Sequence, residues 1–325
     1  MITVEYIWLD GDTEMPQLRS KTRVFSEKHA LSELPNWSFD GGSTNQGELK
    51  DSDRVLKPVR LYKNPFSEGN YMTLCEVMNP DGSPHESNMR HLLAEQLKDE
   101  SVLFGFEQEY TLTDPGMNPL LPEENIKQGP FYCGVGSGRV IGRKIAEEHL
   151  ENCEKAGIQL FGINAEVMVS QWEYQTNPAD ALRASDDLWM SRYIIERGTE
   201  QYNMRISYHP KIYKSLNGAG CHVNVSTAET RESFDDKIQN KIMKKLKKSH
   251  IEHINVYGVG NDLRLTGECE TSDYDKFTWG IGDRSASVRI PAHVADAEKG
   301  YFEDRRPAAT CDPYLVTSKL LETVA

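Results

Sequence analysis

The chain has 325 residues, with 37 Lys plus Arg against 50 Asp plus Glu and a formal net charge of −13; that length suits two domains with ample core. A composition of 38% apolar and 27% charged residues excludes a disordered or fibrous protein, and the acidic balance argues against a nucleic-acid partner. No apolar run approaches the ~20 residues that cross a bilayer, and the start Met1-Ile2-Thr3-Val4-Glu5 lacks the layout of a signal peptide, so no membrane partner is expected.

In chain order, Val4 to Leu9 reads as a strand, Pro35 to Asp53 as a turn-rich passage and Tyr71 to Val77 as a second strand. Residues 1–80 therefore form a small β-rich domain. Asn79-Pro80-Asp81-Gly82-Ser83-Pro84 is turn chemistry and marks the linker to a second domain over 81–325. Ser87 to Lys98 predicts a helix with Met89, Leu92, Leu93 and Leu97 on one apolar stripe, and Val102 to Leu112 a strand. Arg143 to Ala156 predicts a helix closed by Gly157. Further helices are expected over Asp180 to Tyr202 and Asp236 to His253. In the last of these, Ile238, Ile242, Met243 and Leu246 fall at helical spacing, so Lys244, Lys245, Lys247 and Lys248 form its solvated face. Strand-like segments lie at Gln159 to Gln175, Arg205 to Tyr208, Gly220 to Thr227 and Ala286 to Ile290. No βαβ unit repeats, which points to an α+β fold with a mostly antiparallel sheet. The six cysteines, Cys75, Cys133, Cys153, Cys221, Cys269 and Cys311, are scattered without a C-x-x-C pair, as expected of a cytoplasmic protein.

Four stretches carry chemistry. In Phe104-Gly105-Phe106-Glu107-Gln108-Glu109-Tyr110, Glu107 and Glu109 share a strand face; they are either the polar side of an edge strand or a carboxylate pair for hard divalent cations. Glu166 and Glu173 are separated by an odd number of residues, so they converge only if the chain turns near Val169-Ser170. Asn217-Gly218-Ala219-Gly220-Cys221-His222-Val223-Asn224-Val225-Ser226 combines glycines that allow close backbone approach with His222, Asn224 and Ser226 on one face. Arg264, Arg284, Arg289 and Arg305 offer planar forks for carboxylate or phosphate, and Tyr301, Glu303 and Arg305 follow period two. There is no G-x-x-x-x-G-K-[ST] loop, and Gly134-Val135-Gly136-Ser137-Gly138 is weak evidence for phosphate binding.

Together these segments resemble glutamine synthetases of the type II, eukaryote-like class. The matching stretches are Asn36 to Thr44, Phe104 to Leu112, Gly129 to Gly136, Asn164 to Gln175, Asn217 to Thr227, Arg264 to Gly267, Arg284 to Pro291 and Gly300 to Pro313, in the family's order. The resemblance implies a small β-grasp-like N-terminal domain and a larger catalytic domain with a curved, mostly antiparallel sheet and flanking helices. It implies a homo-oligomer of two stacked pentameric rings, a decamer, with each site between one subunit's catalytic domain and its neighbour's N-terminal domain. It also implies the substrates L-glutamate, ammonium and ATP, with Mg²⁺ or Mn²⁺, and formation of L-glutamine through a γ-glutamyl phosphate.

By matching position, Glu109, Glu166 and Glu173 resemble the ligands of one metal, and Glu107, His222 and Glu303 those of the metal that grips the ATP phosphates. Asn217, Gly218, Arg264, Arg284 and Arg305 resemble glutamate and phosphoryl contacts. Asn224, Ser226, Arg289 and Tyr301, with Glu173, Pro178 and Arg284, resemble nucleotide contacts. Asp40, with Ser43 nearby, resembles the group that binds and deprotonates ammonium, and Glu270 the carboxylate of a closing flap. The chain departs from the class in being shorter at both ends, in having Glu268-Cys269 before Glu270 where a His usually precedes, and in having Leu103 where a Trp is usual. Two alternatives share the pattern: a γ-glutamylamide ligase using another amine, and a non-catalytic relative. The retained Asp40 favours ammonium over the first, and ligand-capable residues at all six metal positions argue against the second.

Overall fold

A computed structural model describes residues 1–97, 101–121 and 129–324. Two sheets organise them. The first contains β1 (Ile2–Leu9), β2 (Leu18–Phe25), β3 (Trp37–Asp40), β4 (Asp53–Lys63) and β5 (Tyr71–Met78), in the order β2-β1-β5-β4-β3. Only β1 and β5 pair in parallel. Strand alternation divides its residues between two cores. Val4, Tyr6, Trp8, Leu56, Cys75 and Val77 form one. Ile7, Tyr62, Met72 and Leu74 on the other face pack against Cys153, Ala156, Met190 and Ile194.

The chain then runs through α1 (Met89–Gln96), β6 (Leu103–Thr113), α2 (Arg143–Ala156), β7 (Leu160–Ala165), β8 (Gln171–Thr176) and α3 (Ala181–Thr199). It continues with β9 (Arg205–Ser207), β10 (Cys221–Ser226), α4 (Ala228–Glu232), α5 (Asp236–Lys248), α6 (His250–Ile254) and α7 (Asn261–Arg264). It ends with β11 (Trp279–Ile281), β12 (Val288–Ile290), α8 (Ala292–Ala297), β13 (Phe302–Asp304) and α9 (Pro313–Val324). The second sheet has the order β11-β12-β13-β10-β6-β8-β7, with β9 also pairing β6, and only β11–β12 is parallel. Helices α2, α3, α5 and α9 cover one face, where Trp172, Tyr174, Leu188, Trp189, Leu246 and Leu320 are buried with Phe104 and Phe106. The opposite face is left to the site.

Most expected elements are present, and their ends have local causes. Helix α2 spans the expected residues and stops at Gly157, whose left-handed backbone (φ 89°) lets its N–H reach Cys153 and Glu154 carbonyls. Asp180 caps α3 by accepting from Arg183 N at 2.9 Å.

Several expectations need correction. Strands β2 and β4 were not foreseen. β2 is a charged edge strand with half of its residues exposed and none buried, and β4 contains Pro58 at a register shift. The passage expected to be only turns includes β3. Leu92 is 52% exposed while Leu93 is fully buried; the two point about 100° apart on a helix, so a short helix packed on one edge of its stripe buries one and leaves the other in solvent. The expected helix end at Lys98 lies outside the described residues. The helix expected over Asp236 to His253 breaks at Ser249 (ψ 16°), and α6 buries His250 and His253.

The two sheets are joined through Asp186, which is 0% exposed on α3. It accepts from Arg60 of β4 (2.7 Å), from Arg90 of α1 (2.8 and 3.0 Å) and from Tyr314 of α9 (2.7 Å). Removing one partner of such a buried set strands the other charges. Asp186→Ala should therefore cost about 3–5 kcal/mol, read as a lowered urea midpoint.

Candidate active site

Sheet register assembles the site. Directly opposed residues on neighbouring strands share a face, and here the functional types are opposed on successive strands. Glu109 of β6 faces Glu173 of β8, and Glu107 faces His222 of β10. Asn224 of β10 faces Glu303 of β13, which faces Arg289 of β12. Glu166 joins because the chain turns between β7 and β8, with Ser170 in a left-handed conformation (φ 57°) and Glu166 N bonded to Gln171 O at 2.9 Å. This is the turn the odd Glu166–Glu173 spacing required.

Glu107, Glu109, Glu166, Glu173, His222, Asn224 and Arg289 line one cavity of about 800 Å³, while Glu303 is not among its lining residues. Two trios within it, Glu109–Glu166–Glu173 and Glu107–Glu173–His222, each bring ligand atoms within 4.8 Å of one another. Glu173 belongs to both. Acidic oxygens with one imidazole suit a hard divalent cation better than structural zinc. The arginines adjoin them, Arg264 Nη2 lying 2.9 Å from His222 Nε2. Arg264 and Arg305 are 3% and 7% exposed, whereas Arg284 is exposed at the rim. The left-handed Cys269-Glu270 pair (φ 52° and 61°) brings both residues to the cavity, and Asn217 Nδ2 donates to Glu270 Oε2 at 3.4 Å. Gly105, Pro178, Asn224, Ser226, Arg289 and Tyr301 line it too, as does Leu103.

Crowded, buried acids resist ionisation. Burial, then Glu166, pushes the Glu109 carboxyl up to about 8. Burial, then Glu107, holds Glu173 well above the carboxylate range, and burial also raises Glu166. Burial and then Arg305 hold the His222 ring well below its usual range, leaving the imidazole neutral and able to ligate. Burial lowers the Arg264 guanidinium to about 10.

Each acid of the trios also receives one carboxamide donor. Asn224 Nδ2 donates to Glu107 Oε1 (2.7 Å), Gln171 Nε2 to Glu109 Oε2 (3.2 Å) and Asn164 Nδ2 to Glu166 Oε1 (3.0 Å), while Gln175 donates to Glu173. Neutral donors orient a carboxylate without bringing a competing positive charge. Gln171, Gln175 and Asn164 received no role from the sequence. The signal available was their place, two residues or fewer from Glu173 and Glu166.

Two expected site residues stand apart. Glu303 is 0% exposed and in neither trio: Arg305 Nη1 (2.7 Å) and Arg289 Nε donate to its carboxylate, which lies 3.4 Å from His222 Nδ1. Asp40 and Ser43 do not line the cavity. Asp40 is exposed where β3 meets a short 3₁₀ turn, accepting from Ser43 Oγ (2.6 Å) and Gly42 N (3.0 Å), and these bonds, Ser43's first, hold its carboxyl below the usual range. The Gly134–Gly138 string does not line the cavity either.

Comparison with known proteins adds independent findings. A family model described as "Glutamine synthetase, catalytic domain" matches residues 83–253 and 264–325, and one described as "Glutamine synthetase, beta-Grasp domain" matches residues 1–80. The glutamine synthetase of Schizosaccharomyces pombe is 49% identical over 332 residues, covering 99% of this chain and 92% of that protein. That of Saccharomyces cerevisiae is 47% identical over 332 residues, covering 99% and 89%. The solved structure "Apo GmaS without ligand" aligns with TM-score 0.78 at 19% identity over 98% of this chain and 78% of that one, a likeness of fold alone.

Proposed function

The chain belongs to the glutamine synthetase family and is a glutamate–ammonia ligase, and from that premise we propose how its own residues perform the reaction. The observation that carries the proposal is the shared Glu173, which makes two cation trios adjacent on the floor of one cleft rimmed by arginines. The family is ATP-dependent and uses divalent metal. We assign Glu109, Glu166 and Glu173 to one cation and Glu107, Glu173 and His222 to the other, with Glu303 lying 3.4 Å from His222 Nδ1. Mg²⁺ or Mn²⁺ fits these hard donors. When bound, such cations neutralise phosphate charge and orient the phosphoryl oxygens for in-line transfer.

The glutamate carboxylate is a poor electrophile, because its oxygen leaves badly until phosphorylated. Asn217, Gly218 and Arg264 are assigned to hold glutamate. Arg284 and Arg305 stabilise the charge spread over the transferring phosphoryl oxygens. Asn224, Ser226, Arg289, Tyr301 and Pro178 bound the nucleotide end. Glu270, on its strained left-handed turn, is suited to closing over an acyl phosphate that water would destroy. Asp40 is assigned to ammonium: the hydrogen bonds from Ser43 and Gly42 favour its anionic form, which attracts the cation, and it takes a proton as the nitrogen attacks the acyl phosphate and becomes acidic.

Asp40 is exposed and away from the cavity of its own chain, which fits delivery to a neighbouring subunit's cleft. We therefore read the protein as a homo-oligomer, with two stacked pentameric rings as the expected form. The six cysteines are unpaired, in keeping with a cytoplasmic location; among the described residues no helix is long and apolar enough to cross a membrane. The decisive assay is phosphate release from ATP. It should need glutamate, ammonium and divalent cation together, and faster turnover with an alkylamine than with ammonium would overturn the choice of amine.

A further inference from the structure

Gln171 does something the other three carboxamides do not. It is 1% exposed, and its Nε2 donates both to Glu109 Oε2 (3.2 Å) and to the Gly218 carbonyl (2.9 Å). The same Glu109 oxygen accepts from Gly220 N at 2.8 Å. The segment Gly218–Gly220 is thus tied at both ends to one carboxylate, at one end through Gln171.

That segment has no slack. A Cβ on Gly218 would come within 2.2 Å of Pro210 O and 2.9 Å of Arg264 Cγ, and Ala219 N donates to Pro210 O at 2.9 Å. A shift of the Glu109 carboxylate is therefore passed along the segment to Gly218 and not absorbed between them. Gln171 Oε1, buried, has no hydrogen-bond partner. If Gln171 served only to fill space, an apolar side chain of equal length would avoid that cost. What glutamine supplies is two neutral N–H donors on one nitrogen. A lysine or arginine there would set a positive charge beside Glu109 in competition with a cation, and an ionised carboxylate could not donate.

We propose that Gln171 is a positioning residue that couples cation binding at Glu109–Glu166–Glu173 to glutamate binding at Asn217–Gly218. The inference rests on the ligase reading, since it takes Glu109 as a cation ligand and Gly218 as a glutamate contact. Each ligand then tightens the other by the same factor, because coupling between two bound ligands is reciprocal.

The test uses the full chain and its variants Gln171→Met, which keeps length but removes the donors, and Gln171→Glu, which keeps the planar shape. Mn²⁺ affinity is read from the paramagnetic resonance signal of free Mn²⁺, and glutamate affinity from calorimetric titration with and without Mn²⁺. In the wild type Mn²⁺ should tighten glutamate binding. In Gln171→Met one of two Mn²⁺ sites should weaken about tenfold with the other unchanged, and the effect of Mn²⁺ on glutamate should shrink. The proposal is overturned by a wild type whose glutamate affinity ignores Mn²⁺, or by either folded variant keeping the full wild-type effect. A separate outcome, wild-type protein releasing no phosphate with glutamate, ammonium, ATP and Mn²⁺, would sink the ligase reading instead.

Discussion

Glu173→Gln should raise the stability of the cation-free protein while abolishing divalent cation binding and turnover. Glu173 sits directly opposite Glu109 in the β6–β8 ladder, and both are 8% exposed. Like charges so placed oppose folding, and burial adds a desolvation penalty to each. A neutral amide of the same shape removes the cost of holding a second acid there, whether paid as repulsion or as forced protonation, which is worth about 2 kcal/mol and roughly 4 °C in melting temperature for a chain of this size. The benefit should depend on pH. The Glu109 carboxyl is pushed up to about 8 in the folded protein, from an ordinary 4.5. An acid with a raised folded pKa supports the fold fully below its unfolded value, and that support is lost as pH rises through the folded one. The cation-free wild type should therefore lose stability between about pH 5 and 8, and Glu173→Gln should lose less. Saturating Mg²⁺ or Mn²⁺ should reverse the order, since ligand at a hundred times its dissociation constant adds about 2.7 kcal/mol to the wild type alone. Melting curves at pH 5 and 8, with and without cation, check this; a variant no more stable than wild type without cation would refute the repulsion.

The second large effect is expected at a residue outside the cavity. Asp40→Ala should cut turnover by about 10²–10⁴-fold, the usual worth of a positioned acid–base group. Cation binding should persist, because neither trio touches residue 40. The decisive form of the experiment mixes two inactive proteins, Asp40→Ala and Glu173→Gln, dissociated and reassembled together. If each cleft takes its aspartate from a neighbour in a head-to-tail ring, random mixing restores about a quarter of the sites. If every chain serves itself, mixing restores none, and the intersubunit reading fails.

The same division between local and distant causes runs through the fold. Helix α2 and its stop at Gly157 were legible because a 3.6-residue apolar period and a left-handed glycine are local facts. So was the condition on Glu166 and Glu173, since strand parity lets them meet only across a turn; that they do meet was decided by the fold. Strand β2 was not legible, because an edge strand carrying Arg19, Lys21 and Arg23 shows little apolar alternation. The break at Ser249 was hidden too: the residues around it suit a continuous helix, and its cause is the burial of His250 and His253 against Tyr274 and Thr323.

For the site, the amino acids alone determined which side chains carry charge, which can ligate a hard cation, and which strand face Glu107 and Glu109 share. Tertiary structure decided what meets what. Register across β12, β13, β10, β6 and β8 set Arg289, Glu303, Asn224, His222, Glu107, Glu109 and Glu173 in neighbouring rows. It also buried Glu303 behind two guanidiniums and gave Gln171 its two partners. Those outcomes depend on pairings between residues as far apart as His222 and Glu107, and a local pattern carries no information about which distant strand will lie alongside it.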